Sequence, residues 1–194
     1  MTLTPSSHIA KITATAYQLI NLIFRCFVSR DVPTLLRAYT TYIRPLLEYN
    51  TVVWSPSLKC DIFNVEKVQR KFTKRLPGYS KYSYAERRRN LNLTTLELRR
   101  LHYNDLVMCY KIIFNIVNME SADFFVLNTV SFTRGHPYKL YVNHCRTNVR
   151  RNFFACRIVK VWNSLPTDTV DFGSLGRFRR SLHNIDFSSF LTVQ

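Results

Sequence analysis

The sequence VEKVQRKFTKRLPG occupies residues 65–78 and carries two patterns at once. Its apolar residues, with Ile62 just before them, recur at steps of three and four, which is the spacing of one helix face. Its five basic residues fall at steps of three, four, seven and eight, so they share another face. Pro77 and Gly78 are strong stop signals. The stretch therefore predicts a helix with two faces. The apolar face consists of Ile62, Val65, Val68, Phe72 and Leu76. The cationic face consists of Lys67, Arg70, Lys71, Lys74 and Arg75.

Helical spacing also characterises the residues that precede this stretch. Apolar residues recur at steps of three and four from Ile9 to Phe27 and again in residues 35–47. Asp31, just before the second pattern, is a predicted N-cap. Pro45 lies inside that pattern, so we expect the helix to kink or to change its packing partner near residues 41–44.

Two capping boxes are predicted after Gly78. Ser83 with Glu86 and Thr94 with Glu97 both match the pattern in which a Ser or Thr precedes a Glu by three residues. The first box opens a short helix that contains ERRRN. The second opens a long helix, whose predicted apolar face consists of Leu98, Leu101, Met108, Ile112 and Ile116.

Residues 124–142 lose the helical period and contain β-forming residues around a Gly and a Pro. The helical pattern returns in residues 150–166. We therefore predict a mostly α protein, a multi-helix bundle with one or two short β-strands around residues 124–142. A soft boundary near residues 77–83 separates a helical region, residues 1–78, from a C-terminal helical region, residues 79–194.

The net charge of +16 favours polyanionic partners, nucleic acid first and an anionic membrane surface second. The charge is concentrated in two blocks. Residues 59–101 hold 12 basic and 4 acidic residues, and residues 134–160 hold 7 basic residues and no acidic ones. No uncharged apolar run approaches the roughly 18 residues of a membrane span, so no spanning segment is expected. Of the two polyanions, nucleic acid is the predicted partner, and a membrane is not.

Basic residues interleaved with aromatic ones are the clearest functional signal, because cations contact phosphates and tyrosine stacks on bases. The alternative is a solvated amphipathic surface, which is commoner for a single charge run. The two separate blocks favour polyanion contact. The predicted contact residues are Lys67, Arg70, Lys71, Lys74, Arg75, Arg87, Arg88, Arg89, Arg99, Arg100, Arg150 and Arg151.

Catalytic and metal-binding patterns are weak. Nucleotidyl transfer needs carboxylates that hold metal ions, and the sequence has no Asp-Asp pair. His136, His144, Cys145 and Cys156 are the candidate zinc ligands, but no C-x-x-C pair accompanies them. Five cysteines at irregular spacing indicate a reducing, intracellular compartment rather than a disulfide framework.

Several motifs together resemble one family. AYTTYIRPLLEYNTVVWSPSLKCDIFNVEKVQRKFTKRLPG, residues 38–78, resembles the region after the palm in reverse transcriptases of non-LTR retrotransposons, the LINE or jockey-like elements. The matching positions lie in residues 39–49, 53–56 and 69–78. LTTLELRRLHYNDLVMCYKI, TRGHPYKLYV and RRNFFACRIVKVWNSLP resemble the same proteins in the same order, so the resemblance covers nearly the whole chain.

The resemblance implies a thumb that cradles the template–product duplex of an RNA-directed DNA polymerase, an enzyme family that uses Mg²⁺. The family's fingers, palm, catalytic aspartates and endonuclease have no counterpart in this sequence. We therefore expect a truncated fragment that binds the backbone of an RNA–DNA hybrid or duplex, without a cofactor of its own. A nuclear location is compatible with this role. The missing palm region is a second expected partner.

Two alternatives stay open. The chain is part of a complete reverse transcriptase whose upstream palm is missing from the gene model, or it is an expressed relic with no selected function. A thumb normally packs against a palm, so in a fragment we expect residues Ile9 to Phe27 to expose apolar surface.

Overall fold

The computed structural model describes residues 5–128 and 135–192. Within them the protein is mostly α, as predicted. The helices are, in chain order, α1 Ser6–Cys26, α2 Val32–Ala38, α3 Arg44–Glu48, α4 Thr51–Trp54, α5 Lys59–Arg75, α6 Tyr84–Asn90, α7 Leu96–Arg99, α8 Val107–Ile113, α9 Ser121–Phe124, α10 Asn148–Asn152, α11 Phe154–Asn163 and α12 Leu175–Ser181. The described part of the chain also contains the π-helical segments Tyr39–Ile43 and Arg100–Leu106 and the 3₁₀ turns Leu182–Asn184 and Ser188–Phe190.

The β-structure expected around residues 124–142 is reduced, in the described part of the chain, to one antiparallel bridge between Leu127 and Leu140. Two backbone hydrogen bonds flank it. The Asn128 N–H donates to the Lys139 carbonyl, and the Tyr141 N–H donates to the Val126 carbonyl, both at 2.8 Å. Residues 129–134 of that expectation lie outside the described residues.

The chain forms two compact units. Their described parts are residues 5–50, 54–99 and 192 in the first, and residues 51–53, 100–128 and 135–191 in the second. The division after Arg99 differs from the predicted boundary near residues 77–83. Two buried side chains of α5, Glu66 and Gln69, hydrogen-bond to residues between Tyr84 and Leu96, which ties this segment to the first unit.

The first unit has its core between α1 and α5. Ile9, Ala16 and Ile20 on α1 are fully buried, as are Val68 and Phe72 on α5. The expectation that residues Ile9 to Phe27 expose apolar surface is therefore wrong for most of this face. The apolar face of α5 covers it, so these side chains find within the chain the contact that a palm was expected to supply.

Where the helix was expected to kink or change its packing partner, near residues 41–44, the structure has the π-helical segment Tyr39–Ile43. At its end the Arg44 N–H donates to the Tyr39 carbonyl, five residues back. Pro45 follows at once. Proline has no N–H to donate, and its ring collides with a carbonyl four residues back in a regular α-helix. The wider π turn relieves that collision without ending the helical path.

The structure confirms one predicted capping box and corrects the other. Ser83 and Glu86 form both bonds of the box at the start of α6. The box of Thr94 and Glu97 is wrong. The Thr95 hydroxyl instead accepts from the Leu98 N–H at 3.1 Å, and the Glu97 carboxylate accepts from the Thr192 N–H at 3.0 Å. Glu97 is buried, and its bond to Thr192 ties it into the tertiary structure of the first unit.

The predicted long helix that begins near residue 96 is interrupted by the π-helical segment Arg100–Leu106. Of its predicted apolar face only Ile112 is buried, and Ile116 is exposed. A π turn holds more residues than an α turn, so it rotates every following side chain around the axis. The residues that are buried beside Ile112 are His102, Asp105, Leu106, Val107, Cys109 and Tyr110.

An aromatic core organises the second unit. Trp162 of α11 is fully buried, and its ring lies 5.6 Å from that of Phe172 and 5.7 Å from that of Phe178. Its indole N–H donates to the Tyr138 carbonyl at 2.7 Å. On the same helix, Arg157 forms a two-point ion pair with buried Asp105, at 2.7 and 3.1 Å. The π segment and α11 are thus joined by a charged pair beside an apolar core.

Candidate nucleic-acid interface

Helix α5 presents three faces. Its apolar face is confirmed, since Ile62, Val65, Val68 and Phe72 are buried and Leu76 is buried just after the helix end. The second face is polar and also buried, which periodicity does not predict. The third face is the predicted cationic one. Lys67, Arg70, Lys71, Lys74 and Arg75 are all exposed on it.

The buried polar face centres on Gln69, which is fully buried. Its amide oxygen accepts from the Tyr39 hydroxyl at 3.0 Å. Its amide nitrogen donates to the Tyr84 hydroxyl and to the Thr94 carbonyl, each at 2.9 Å. These bonds fix the rotation of α5 about its axis, and so they decide which residues point to solvent.

Both acidic residues of α5 are withdrawn from its surface. Glu66 is 1% exposed and accepts from the Tyr84 hydroxyl and, at 2.9 Å, from the Leu96 N–H. Burial raises the pKa of Glu66, and the hydrogen bonds from Tyr84 and Leu96 oppose that rise. Asp61 is also buried and accepts from the Ser6 hydroxyl at 2.6 Å. The solvent-facing part of α5 therefore carries cations and no carboxylate.

Three of the exposed cations lie over aromatic rings of the first unit. Lys71 Nζ is 4.6 Å from the centre of the Tyr17 ring. The Arg75 guanidinium is 4.3 Å from the Phe24 ring and donates to the Asn21 side chain at 2.7 Å. Arg70 lies 4.8 Å from the Tyr84 ring. These contacts hold long side chains in defined positions at the surface.

Lys67 and Lys74 differ from these three cations. Neither has a hydrogen bond, ion pair or ring contact in the described part of the chain, and both are exposed. Substituting them therefore removes charge without removing an internal contact.

The three arginines of α6 have different environments. Arg89 is exposed and Arg88 is half-buried. Arg87 is 4% exposed and donates to the Tyr82 carbonyl at 3.1 Å. Burial lowers the pKa of Arg87. Its prediction as a surface contact needs correction, because its guanidinium packs inside the first unit.

The prediction that Arg99 is a surface contact also needs correction. Its Nε lies 2.5 Å from Glu48 Oε1, and its Nη2 lies 3.2 Å from Glu48 Oε2. This two-point pair joins α7 to α3 and neutralises the charge of Arg99. The sequence gives no sign of it, because 51 residues separate the partners.

The remaining predicted contacts belong to the second unit. Arg100 is half-buried at the start of the π segment. Arg150 and Arg151 are exposed on α10, and Arg150 lies 5.1 Å from the Phe153 ring. Each unit therefore carries its own exposed predicted cations.

Sequence reasoning missed the residues that support the cationic face. Tyr17, Asn21 and Phe24 lie within residues 9–27, whose helical spacing assigns them no functional role. Gln69 appears in the sequence only as one of the positions that match the resembled family. Tyr84 is part of the same support: arginines cover its ring, and its hydroxyl is bonded inward. The sequence does show polar and aromatic residues on α1 that could support cations of α5. Recognising them requires knowing that the two helices pack together.

No protein-family model, curated protein or solved structure matches this chain. The resemblance to reverse transcriptases accordingly rests on the sequence motifs alone.

A metal centre finds no support in the described residues. Across residues 5–128 and 135–192, no three His, Cys, Asp or Glu side chains gather so as to hold a metal ion. The same residues contain no helix with the length and hydrophobicity needed to cross a bilayer.

Proposed function

We propose that this chain binds the sugar–phosphate backbone of nucleic acid through the exposed face of α5. One observation carries the proposal. The solvent-facing side of this 17-residue helix holds Lys67, Arg70, Lys71, Lys74 and Arg75, while its two carboxylates are buried. An ordinary solvated helix face intersperses both signs of charge, which favours its solubility without creating a strong local field.

The side-chain contacts of the face also support this function. Lys71 and Arg75 lie over the rings of Tyr17 and Phe24, so these cations are ordered before a ligand arrives. A cation that is already held loses less conformational entropy on binding. Contacts of lysine and arginine with phosphates position a duplex without reading its sequence. The expected binding is therefore tight at low salt and tolerant of sequence.

The resemblance to non-LTR reverse transcriptases suggests the ligand. We propose that the chain acts as the thumb-like, backbone-holding part of such a polymerase and that an RNA–DNA hybrid or a duplex is its ligand. Arg88, Arg89, Arg100, Arg150 and Arg151 are the further proposed contacts. Arg87 and Arg99 are left out of the surface set, because one is buried and the other is paired with Glu48.

A charge-matched pair of double variants tests this proposal. Lys67→Gln/Lys74→Gln removes two exposed cations of α5 that have no partner among the described residues. Lys11→Gln/Lys160→Gln removes two exposed lysines from α1 and α11 that are outside the predicted contact set. Both variants lower the net charge equally, so they separate a specific face from the overall positive field.

Fluorescence anisotropy with a labelled RNA–DNA hybrid at fixed low salt gives the affinities. We expect the α5 double variant to bind about 10-fold or more weakly than the wild type, since each phosphate contact contributes through counterion release. The control variant is expected to bind within about 3-fold of the wild type. Equal losses in the two variants would show that only net charge matters and would overturn the assignment to α5.

A further inference from the structure

Three arginines of the first unit surround one tyrosine ring. The guanidinium carbons of Arg70, Arg88 and Arg87 lie 4.8, 5.2 and 5.7 Å from the centre of the Tyr84 ring. Arg70 comes from α5, and the other two come from α6. Like charges brought this close repel one another, so the group needs a compensating negative charge.

The tyrosine does not supply that charge. Its hydroxyl donates to Glu66 and accepts from Gln69, and both burial and the neighbouring Glu66 carboxylate raise its pKa. The ring therefore stays neutral. Glu66 compensates for at most one of the three cations. Its two oxygens are already engaged by the Tyr84 hydroxyl and the Leu96 N–H.

The arginines also have unused hydrogen-bond donors. The Nε atoms of Arg87 and Arg88 are buried and bond to no atom in the described part of the chain. Arg87 uses one Nη group, on the Tyr82 carbonyl. Arg88 and Arg70 contact the ring faces and make no side-chain hydrogen bond among the described residues. Buried donors without acceptors are unusual in folded proteins and call for an explanation.

We propose that Arg70, Arg87 and Arg88 form a binding site for one phosphate group, with Tyr84 as the platform on which the arginines rest when the site is empty. A planar guanidinium presents paired N–H groups that match the oxygens of a phosphate, which a lysine does not. Exposed Arg70 and half-buried Arg88 form the entrance, and Arg87 forms the inner wall. A phosphate supplies both the missing negative charge and the missing acceptors.

This site deepens the proposed function without depending on it. If the chain binds nucleic acid, a backbone phosphodiester is the source of the phosphate, and Arg70 then links the site to the α5 face. A free phosphate offers the same oxygens and serves as the probe. The two sources are distinguished by measuring free phosphate and the RNA–DNA hybrid separately.

Thermal unfolding of the full chain in inorganic phosphate is the primary test. Ionic strength is held constant with NaCl, so that screening of the +16 net charge does not change. A phosphate concentration about tenfold above Kd is expected to raise Tm by about 3–6 °C. We expect Arg88→Gln and Arg70→Gln each to abolish most of this rise. Lys11→Gln, which changes an exposed lysine of α1 outside the predicted contact set, should retain it.

Two variants separate phosphate binding from effects of net charge or misfolding: Arg88→Lys and Arg70→Gln. Arg88→Lys preserves the charge but not the paired donors, so it is expected to weaken phosphate binding about 10-fold. Arg70 is exposed, so its substitution tests the site even where Arg88→Gln prevents folding. Two results would overturn the site. In one, phosphate stabilises the wild type no more than chloride does at the same ionic strength. In the other, the arginine variants respond to phosphate as the wild type does.

Failure of the site and failure of the proposed function give different results. If the wild type binds the hybrid but is not stabilised by phosphate, the arginine site is overturned and the proposed function is not. A phosphate response without hybrid binding would leave the site and overturn the proposed function. Weaker hybrid binding by Arg70→Gln, beyond the loss caused by Lys67→Gln, would identify the backbone as the source of the phosphate.

Discussion

Gln69 determines, at the scale of a single residue, how the candidate interface is oriented. Its amide bonds the Tyr39 hydroxyl, the Tyr84 hydroxyl and the Thr94 carbonyl, and it is fully buried. Each of these partners would lose its bond in an apolar setting if the amide were removed. A buried polar group without a partner is more costly than the bond itself is favourable.

We predict that Gln69→Ala lowers the free energy of unfolding by about 2–3 kcal/mol, because it leaves buried hydroxyl and carbonyl groups unsatisfied. Urea unfolding followed by circular dichroism measures the change. Gln18→Ala on the exposed side of α1 is the matched control, and it should change stability by less than about 0.5 kcal/mol. Similar losses for the two variants would mean that the Gln69 network does not stabilise the first unit.

His136 has a pH-dependent role in the second unit. It is 2% exposed, its Nε2 lies 2.9 Å from the Trp162 carbonyl, and its Nδ1 is buried without a partner in the described residues. Burial lowers the pKa of His136 below 6.5, its ordinary value. The unfolded chain therefore binds a proton more readily than the folded protein does. The resulting stabilisation is complete above pH 6.5 and is lost as the pH falls through the folded pKa.

We predict that the free energy of unfolding falls between pH 7 and pH 5 with a His136 contribution of at most about 1.4 kcal/mol per pH unit. Glu66, whose pKa is raised, contributes with the opposite sign, so the test compares variants rather than absolute slopes. His136→Gln should flatten the fall relative to the wild type, and exposed His144→Gln should not. A slope unchanged in His136→Gln would rule out this contribution.

Helix α5 connects packing and function at the scale of an element. Phe72 is fully buried, stacks on Tyr39 at 4.6 Å between ring centres, and lies 5.5 Å from Phe24. Phe24 is also the ring beneath Arg75. The same aromatic cluster therefore fills the core and supports a cation of the exposed face.

We predict that Phe72→Ala destabilises the first unit by about 3–5 kcal/mol, because it leaves a cavity between α1 and α5. Phe63→Ala on the same helix is the control, since Phe63 is 46% exposed, and it is expected to cost less than about 1.5 kcal/mol. Thermal and urea unfolding give both values. A Phe72→Ala loss no larger than that of Phe63→Ala would contradict the packing of α1 on α5.

The elements differ in how much of them the sequence could predict. The period of α5 predicts both its apolar and its cationic face, because each depends only on the geometry of one helix. Burial of Glu66, Gln69 and Arg87 depends on partners elsewhere in the chain, and a local pattern assigns such polar residues to the surface. The face predicted for residues 98–116 was wrong because a π segment adds a rotation that apolar spacing does not reveal.

The candidate site was predicted in outline only. Its exposed lysines and arginines follow from helix period, whereas the pairing of Arg99 with Glu48 and the grouping of three arginines around Tyr84 require the folded chain. Long-range pairs of this kind decide which cations are available to a ligand. Charge counts alone overestimate that number.

At the scale of the whole molecule, positive charge is present in both units. The basic block at residues 59–101 lies mainly in the first unit, and the block at residues 134–160 lies in the second. A polyanion that contacts several of these cations displaces bound counterions from its backbone, which makes its affinity depend steeply on salt. Binding of an uncharged or apolar ligand has no such dependence.

Affinity for an RNA–DNA hybrid as a function of NaCl concentration tests the central claim most directly. For contacts from the five exposed cations of the predicted α5 face, the log–log slope is expected to be about −4 to −5, at about −0.9 per contact on duplex DNA. The Lys67→Gln/Lys74→Gln variant should lower its magnitude by about 2, and hybrids of unrelated sequence should give the same slope. A slope near zero, or no detectable binding at low ionic strength, would contradict the account.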